Sequence, residues 1–351
     1  MGKIRMFLFL VVFFALSLPG KDNIVYITPG CFGNIFGYYS DNQYKHLHNL
    51  RDCCKRLGYQ VRQVSSLRNL KNVAAIVCFG IPKKQLGFLS KYPIEKRILF
   101  LWEPPITKPD NYDKRYHKHF SKVYTLLDGL VDNKKYFKFY EPQPCLDIID
   151  DEILFGEKKL CVLLTCKKAY SHPLSLSAER WKIIDFFSKL GSDDFDLYGR
   201  EWSKKDCIYY KGVSRSRPEC FKNYKFVFCY ENAKNLHGYI TSHKILFPMI
   251  AKSVPIRWSE ENVAGYIPKN CFISRCDFES YGDLYSFIKN MDEKTYNKYL
   301  DNIRKFLKSD AVLLFSCENF AYIFLDAILP GFNKNVAFTP KQLEVVNHIY
   351  S

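Results

Sequence analysis

Short apolar, β-branched runs alternate with amphipathic stretches along most of this chain. Residues 23–27, 73–79 and 97–102 read as strands. Residues 73–79 and 98–102 are unbroken apolar runs, the pattern of parallel strands buried on both faces. Residues 44–56, 84–90 and 112–123 carry helical spacing between and after them. The same alternation resumes after a Pro142-Gln143-Pro144 turn and an acidic run over 147–152. Strands are expected at 160–165, 195–198, 224–229 and 254–258, with helices at 178–190, 241–251, 281–291 and 295–306. Residues 311–329 predict one further helix packed back on the core; Glu318, Asn319 and Asp326 argue against a membrane span there.

Strand–helix–strand alternation on both sides of a break predicts an α/β protein of two Rossmann-like domains facing across a cleft. The expected boundaries are 21–142 and 159–330, joined by a linker over 143–158 and followed by a tail over 331–351. A length of 351 residues favours two domains, and 47% hydrophobic with 25% charged residues is ordinary globular composition. The 17% aromatic share, with 25 Tyr and 29 Phe, mainly supplies cores, with some rings left to line a sugar site.

Charge and cysteine usage narrow the classes. The formal net charge is +16, yet no dense Lys/Arg block, helix-turn-helix pattern or finger spacing is present, which points away from nucleic acid. A basic surface then suits a phosphorylated small substrate or acidic lipid. Thirteen Cys residues follow no metal-ligand spacing, and several lie inside apolar strands, so reduced thiols and no zinc site are expected. Lys3 and Arg5 precede an uncharged run over 6–18, the pattern of a signal peptide or short membrane anchor over 1–20. This leaves a membrane-associated location ahead of a secreted one.

Candidate chemistry gathers between residues 224 and 278. An apolar strand ends on Glu231-Asn232; after a polar loop containing Tyr239, Thr241 and Lys244 open a helix with His243 between them; Val254-Pro255 starts the next strand. That order puts a helix N-terminus, a lysine and a carboxylate at one sheet edge, an arrangement suited to a phosphate-bearing ligand. Arg180 opens an earlier helix, where a guanidinium can address a diphosphate. Glu103 ends a buried strand and is followed by two prolines, which puts a carboxylate at the cleft mouth as a candidate general base. The neutral readings are capping roles for Glu103 and Glu231-Asn232 and simple exposure for Arg180.

The series Phe228-x-x-Glu231-Asn232, Tyr239-x-Thr241, Lys244 and Val254-Pro255 resembles the donor-binding signature of the family 10 α1,3-fucosyltransferases, Phe-x-x-Glu-Asn, Tyr-x-Thr-Glu-Lys and Val-Pro. The segment Leu101-Trp102-Glu103-Pro104-Pro105 resembles the acceptor-side domain of its bacterial and viral members. The resemblance implies a GT-B fold and an inverting transfer of fucose from GDP-fucose to a glycan hydroxyl, such as the 3-hydroxyl of N-acetylglucosamine. It implies Glu103 as catalytic base, with Arg180, Glu231, Asn232, Tyr239, Thr241, His243 and Lys244 on the donor. No metal ligand is implied, and a divalent ion is at most stimulatory. Partners would be GDP-fucose, a glycan acceptor and a membrane surface, without nucleic acid.

Two departures stand out. The family's Ser-Asn pair after the strand before Arg180 is Cys166-Lys167 here, and its glutamate before the lysine is replaced by Ser242-His243, with one residue added. These keep two alternatives open: a GT-B glycan- or nucleotide-binding protein without turnover, and a GT-B transferase using another nucleotide sugar.

Overall fold

The computed structural model describes residues 22–30, 32–37, 44–150, 153–258 and 265–351. The expected signal or anchor over 1–20 lies outside the described residues, and no helix among those described is long and apolar enough to cross a membrane.

The strands are β1 (Ile24–Thr28), β2 (Gln60–Gln63), β3 (Val73–Phe79), β4 (Arg97–Leu101), β5 (Lys122–Thr125), β6 (Tyr136–Lys138), β7 (Lys159–Leu164), β8 (Phe195–Tyr198), β9 (Tyr224–Phe228), β10 (Val254–Arg257) and β11 (Ile273–Ser274). The helices are α1 (Lys45–Arg56), α2 (Leu86–Leu89), α3 (Lys114–His117), α4 (Ser177–Leu190), α5 (Arg217–Phe221), α6 (Ser242–Ile250), α7 (Tyr281–Lys289), α8 (Glu293–Leu307), α9 (Cys317–Ile328), α10 (Lys334–Ala337) and α11 (Pro340–Ile349). Two all-parallel sheets result, ordered β2-β1-β3-β4-β5-β6 and β11-β10-β9-β7-β8. These are the two Rossmann-like domains expected from the sequence.

Burial explains the parallel arrangement. Val25, Ile27, Val77 and Phe100 pack into one face of the first sheet against α1, while Tyr26, Ile76, Cys78 and Leu99 pack into the other with Leu67, Leu89 and Phe120. A third cluster fills the second domain around Val162, Ile184, Phe226 and Ile256. Helix α9 returns to the first domain: Phe320, Phe324 and Leu325 join the α1 face, and the rings of Phe324 and Phe100 stack at 5.6 Å. Residues 311–329 are therefore not one helix. A 3₁₀ segment, Asp310–Phe315, precedes α9, and the Ser316 hydroxyl caps α9 by accepting the Asn319 N–H at 3.0 Å.

The helix expected over 112–123 is also corrected. Only the single turn α3 forms, capped by Asp113, and the chain then becomes β5, paired in parallel with β4. Buried His117 ends the turn by bonding the Asn111 carbonyl at 2.7 Å and the Tyr136 hydroxyl at 3.0 Å, so its ring links the loop before α3 to β6.

The domains meet at a polar clasp. Lys138 Nζ donates to Asp128 Oδ1 at 2.6 Å and to the Gly238 carbonyl at 3.1 Å, while Tyr266 donates to Asp128 Oδ1 at 2.8 Å. Gly238 has φ +72°, and a Cβ there would collide with the Asp128 carboxylate, so this close approach requires glycine. After β6 the chain passes between the domains with no helix or strand among the described residues before β7.

Candidate active site

A cleft of about 310 Å³ opens between the domains at the carboxyl ends of both sheets, where parallel α/β folds place their ligands. Phe79 at the end of β3 and Trp102-Glu103 just past β4 line one wall; Thr165 and Cys166 after β7 and Tyr230 after β9 line the other.

The second-domain wall is built around the start of α6. Buried Glu231 reaches ten residues along the chain: its Oε1 accepts the Thr241 N–H at 2.8 Å and its Oε2 accepts from Lys244 Nζ at 3.2 Å. Lys244 also donates to Asn232 Oδ1 at 3.3 Å. Thr241 forms no side-chain cap bond, so the Glu231 carboxylate does the capping from β9's end. Glu231 is not itself a lining residue; it stands behind Asn232, Thr241 and Lys244, which are.

Arg180, in the first turn of α4, is buried beside this group. Its Nη2 donates to the carbonyls of Tyr230 at 2.9 Å and Glu231 at 2.7 Å and to Asn232 Oδ1 at 3.2 Å. Burial pushes the Arg180 pKa below its ordinary value, partly offset by nearby Glu231. Burial likewise lowers that of Lys244, Glu231 acts against this, and Arg180 adds to it. Two desolvated cations thus stand near the Glu231 carboxylate at a helix N-terminus, an arrangement suited to a ligand anion.

The first-domain wall is aromatic with an acidic centre. Phe32 packs edge-on against Trp102 at 5.4 Å, and Glu103 is half-buried next to it, its carbonyl accepting the Tyr112 hydroxyl at 3.1 Å. Tyr239, buried between the walls, has its phenol pushed well up by burial and by the surrounding Glu231, Glu103 and Glu141 carboxylates.

Glu141 is the site residue that sequence reasoning missed. It sits on the segment between the domains with Oε1 3.4 Å from the Trp102 indole N–H and 3.5 Å from His243 Nδ1, and its Oε2 accepts from the Ser242 hydroxyl at 3.3 Å. Burial opposes its charge, yet His243, Trp102 and the Ser242 backbone hold its carboxyl below the ordinary carboxylate value. A carboxylate therefore stands at the α6 start although the helix itself lacks one. The Pro142 turn directly after it was the available signal.

Of the residues expected from the sequence, Glu103, Arg180, Asn232, Tyr239, Thr241, His243 and Lys244 all line this one cleft. Asp196 takes a structural role, bonded by Lys159 at 2.9 Å and by Tyr224 at 2.7 Å. Among the described residues no three His, Cys, Asp or Glu side chains gather as a metal site, and no disulfide joins the described cysteines.

Comparison with known proteins agrees with this architecture. Residues 164–317 match the family model described as glycosyltransferase family 10 (fucosyltransferase), C-terminal. A protein of Acanthamoeba polyphaga mimivirus, provisionally named a fucosyltransferase, is 40% identical over 74 residues, which are 21% of this chain and 12% of that relative. The chain thus spans about an eighth of that relative's length. A solved α1,3-fucosyltransferase is similar in fold with a TM-score of 0.56 at 16% identity, covering 90% of this chain and 92% of its own. A structure of an α1,3-fucosyltransferase with GDP-fucose has a TM-score of 0.52 at 15% identity, covering 94% and 95%. The architecture is GT-B, and the family resemblance read from the motifs stands.

Proposed function

We propose that this chain, a glycosyltransferase carrying a family 10 domain over residues 164–317, moves fucose from GDP-fucose to a glycan hydroxyl. The observation that carries the reading is the meeting, in one cleft, of Glu103 from the first domain with Arg180, Lys244 and the α6 N-terminus from the second. The likeness in fold to an α1,3-fucosyltransferase with GDP-fucose supports the choice of donor.

In this reading the diphosphate lies against Arg180 and Lys244, with the α6 N-terminus adding its partial positive charge. The fucose then projects toward the first domain. Glu103 removes the proton from the acceptor hydroxyl as that oxygen attacks the anomeric carbon, and the bond to the GDP oxygen breaks on the opposite side. The anomeric centre inverts, and the leaving diphosphate gains charge where the two cations already stand. Glu231 positions Lys244 and the helix start. The 3-hydroxyl of N-acetylglucosamine is the acceptor group we assign, in an oligosaccharide, glycoprotein or glycolipid. The apolar run over 6–18 supports attachment to a membrane surface that presents such acceptors.

The test is GDP release from GDP-fucose with and without N-acetyllactosamine, using the wild type and Glu103→Gln. Acceptor-dependent release that falls about a hundredfold or more in the variant, with GDP binding retained, is expected. GDP binding without release from the wild type would reduce the protein to a binding module. Stabilisation by UDP but not GDP would overturn the donor.

A further inference from the structure

Next to the donor cleft runs a second concavity, an open groove of about 580 Å³. Pro105, Ile106, Pro109, Tyr112 and Asp113 form its first-domain side, and residues 169–172 form the other. Tyr170 lines both the groove and the cleft, so the two spaces border one another. The groove also begins at the proposed base: Pro105 is two residues beyond Glu103, and the Tyr112 hydroxyl is bonded to the Glu103 carbonyl at 3.1 Å.

Its surface chemistry is specific. Two prolines, an isoleucine and two tyrosines give flat, rigid, largely apolar faces, with Ser171, His172 and Asp113 along the polar edge. The chain carries a net charge of +16, yet no Lys or Arg is among the groove's lining residues. The one carboxylate, Asp113, is tied to Arg115, whose Nη2 donates to its Oδ2 at 2.7 Å. An acidic chain would need cations here to replace its lost hydration. A neutral pyranose chain matches instead, presenting C–H faces to the rings and hydroxyls to the polar edge.

We propose that this groove binds the part of a neutral oligosaccharide acceptor that extends beyond the sugar receiving the transfer. The proposal rests on the glycosyl-transfer reading above. A chain whose reacting hydroxyl faces Glu103 has an exit over Pro105 and Tyr170, and the groove is the concave surface along that exit. The contribution of this groove is to favour long acceptors over short ones.

The experiment measures binding of a neutral poly-N-acetyllactosamine hexasaccharide and of the N-acetyllactosamine disaccharide to the full chain by calorimetry, with and without GDP. We expect the hexasaccharide to bind about tenfold more tightly. Ser171→Trp and His172→Trp fill the groove from exposed positions, and each should remove that advantage at an unchanged unfolding midpoint. Equal affinities in the wild type, an advantage that survives both variants, or tighter binding of a sulfated hexasaccharide would overturn the proposal. Turnover does not enter this readout. Length-dependent binding without release of GDP from GDP-fucose would keep the groove and sink the transferase reading; release without length dependence would do the reverse.

Discussion

The Glu231 carboxylate joins two points of one helix start, accepting the Thr241 N–H through Oε1 at 2.8 Å and the Lys244 ammonium through Oε2 at 3.2 Å. The strand β9 thereby sets the direction of α6 and holds the lysine that faces the cleft. Arg180 is anchored to the segment that carries this carboxylate, through the Tyr230 and Glu231 carbonyls. The cations of the site are therefore held in place before any ligand arrives, so their ordering entropy is not a cost of binding.

Removing that carboxylate tests the arrangement. Glu231→Ala leaves Lys244 and Arg180 without the carboxylate that offsets their charge, and a loss of about 3 kcal/mol in urea unfolding is expected. GDP should then raise the variant's midpoint more than the wild type's, because its diphosphate supplies the missing anion. An equal GDP shift in both proteins would mean that Lys244 and Arg180 do not meet the diphosphate.

Glu141 predicts an acid-side signature. Its folded-state carboxyl is held below the ordinary value of 4.5, so its ionised form stabilises the fold. That contribution is complete above the unfolded value and is lost as pH falls through the folded one. Glu141→Gln should be less stable than the wild type by about 1–2 kcal/mol near neutral pH. The gap should close as pH drops below 4.5. Paired unfolding curves across that range decide it; a gap that persists in acid would show that packing, not charge, accounts for the difference.

Lys158 works in the opposite direction. It is buried, its Nζ donates to the Lys252 carbonyl at 2.6 Å, and burial with help from the Lys252 charge pushes its pKa from 10.5 down to about 8. At neutral pH both states are protonated and the fold carries the desolvation cost. As pH rises from about 8 toward 10.5 the folded state gives up its proton first, and stability rises. Lys158→Met should therefore gain about 1–3 kcal/mol near neutral pH, with the advantage shrinking toward pH 10.5. A pH-independent difference would instead assign the effect to the lost hydrogen bond.

These groups show which parts of the fold were legible. β3 was readable to the residue because it is apolar throughout and buried on nearly every position. β2 escaped because it lies at a sheet edge, alternates exposed and half-buried residues, and reads Gln-Val-Arg-Gln. β6 is half-buried at the other edge, and no long apolar run marks it. β5 begins at the end of a stretch of helical spacing and is identified by its pairing with β4, a tertiary fact. Arg180, Thr241 and Lys244 were visible because helix starts have local signatures. Glu141 has only the Pro142 turn beside it, and its partners Trp102 and His243 are 39 and 102 positions away, brought together by domain packing.

Cysteine labelling offers a map of the cleft independent of turnover. Cys145 and Cys276 are exposed, Cys166 is half-buried on the cleft wall after β7, and Cys54, Cys78 and Cys229 are buried. Burial pushes the Cys78 thiol up to about 12 and raises those of Cys54 and Cys229 as well. The thiolate is the reactive form, so these three should remain unlabelled in the folded protein. Alkylation followed by peptide mass spectrometry should show, among the described cysteines, Cys145 and Cys276 modified first and Cys166 next. GDP should slow Cys166 at least about tenfold when present at a hundred times its Kd, leaving Cys145 and Cys276 unchanged. Protection of Cys166 by GDP but not by UDP would place the guanine nucleotide against the carboxyl end of β7; an unprotected Cys166 at saturating GDP would move the nucleotide away from it.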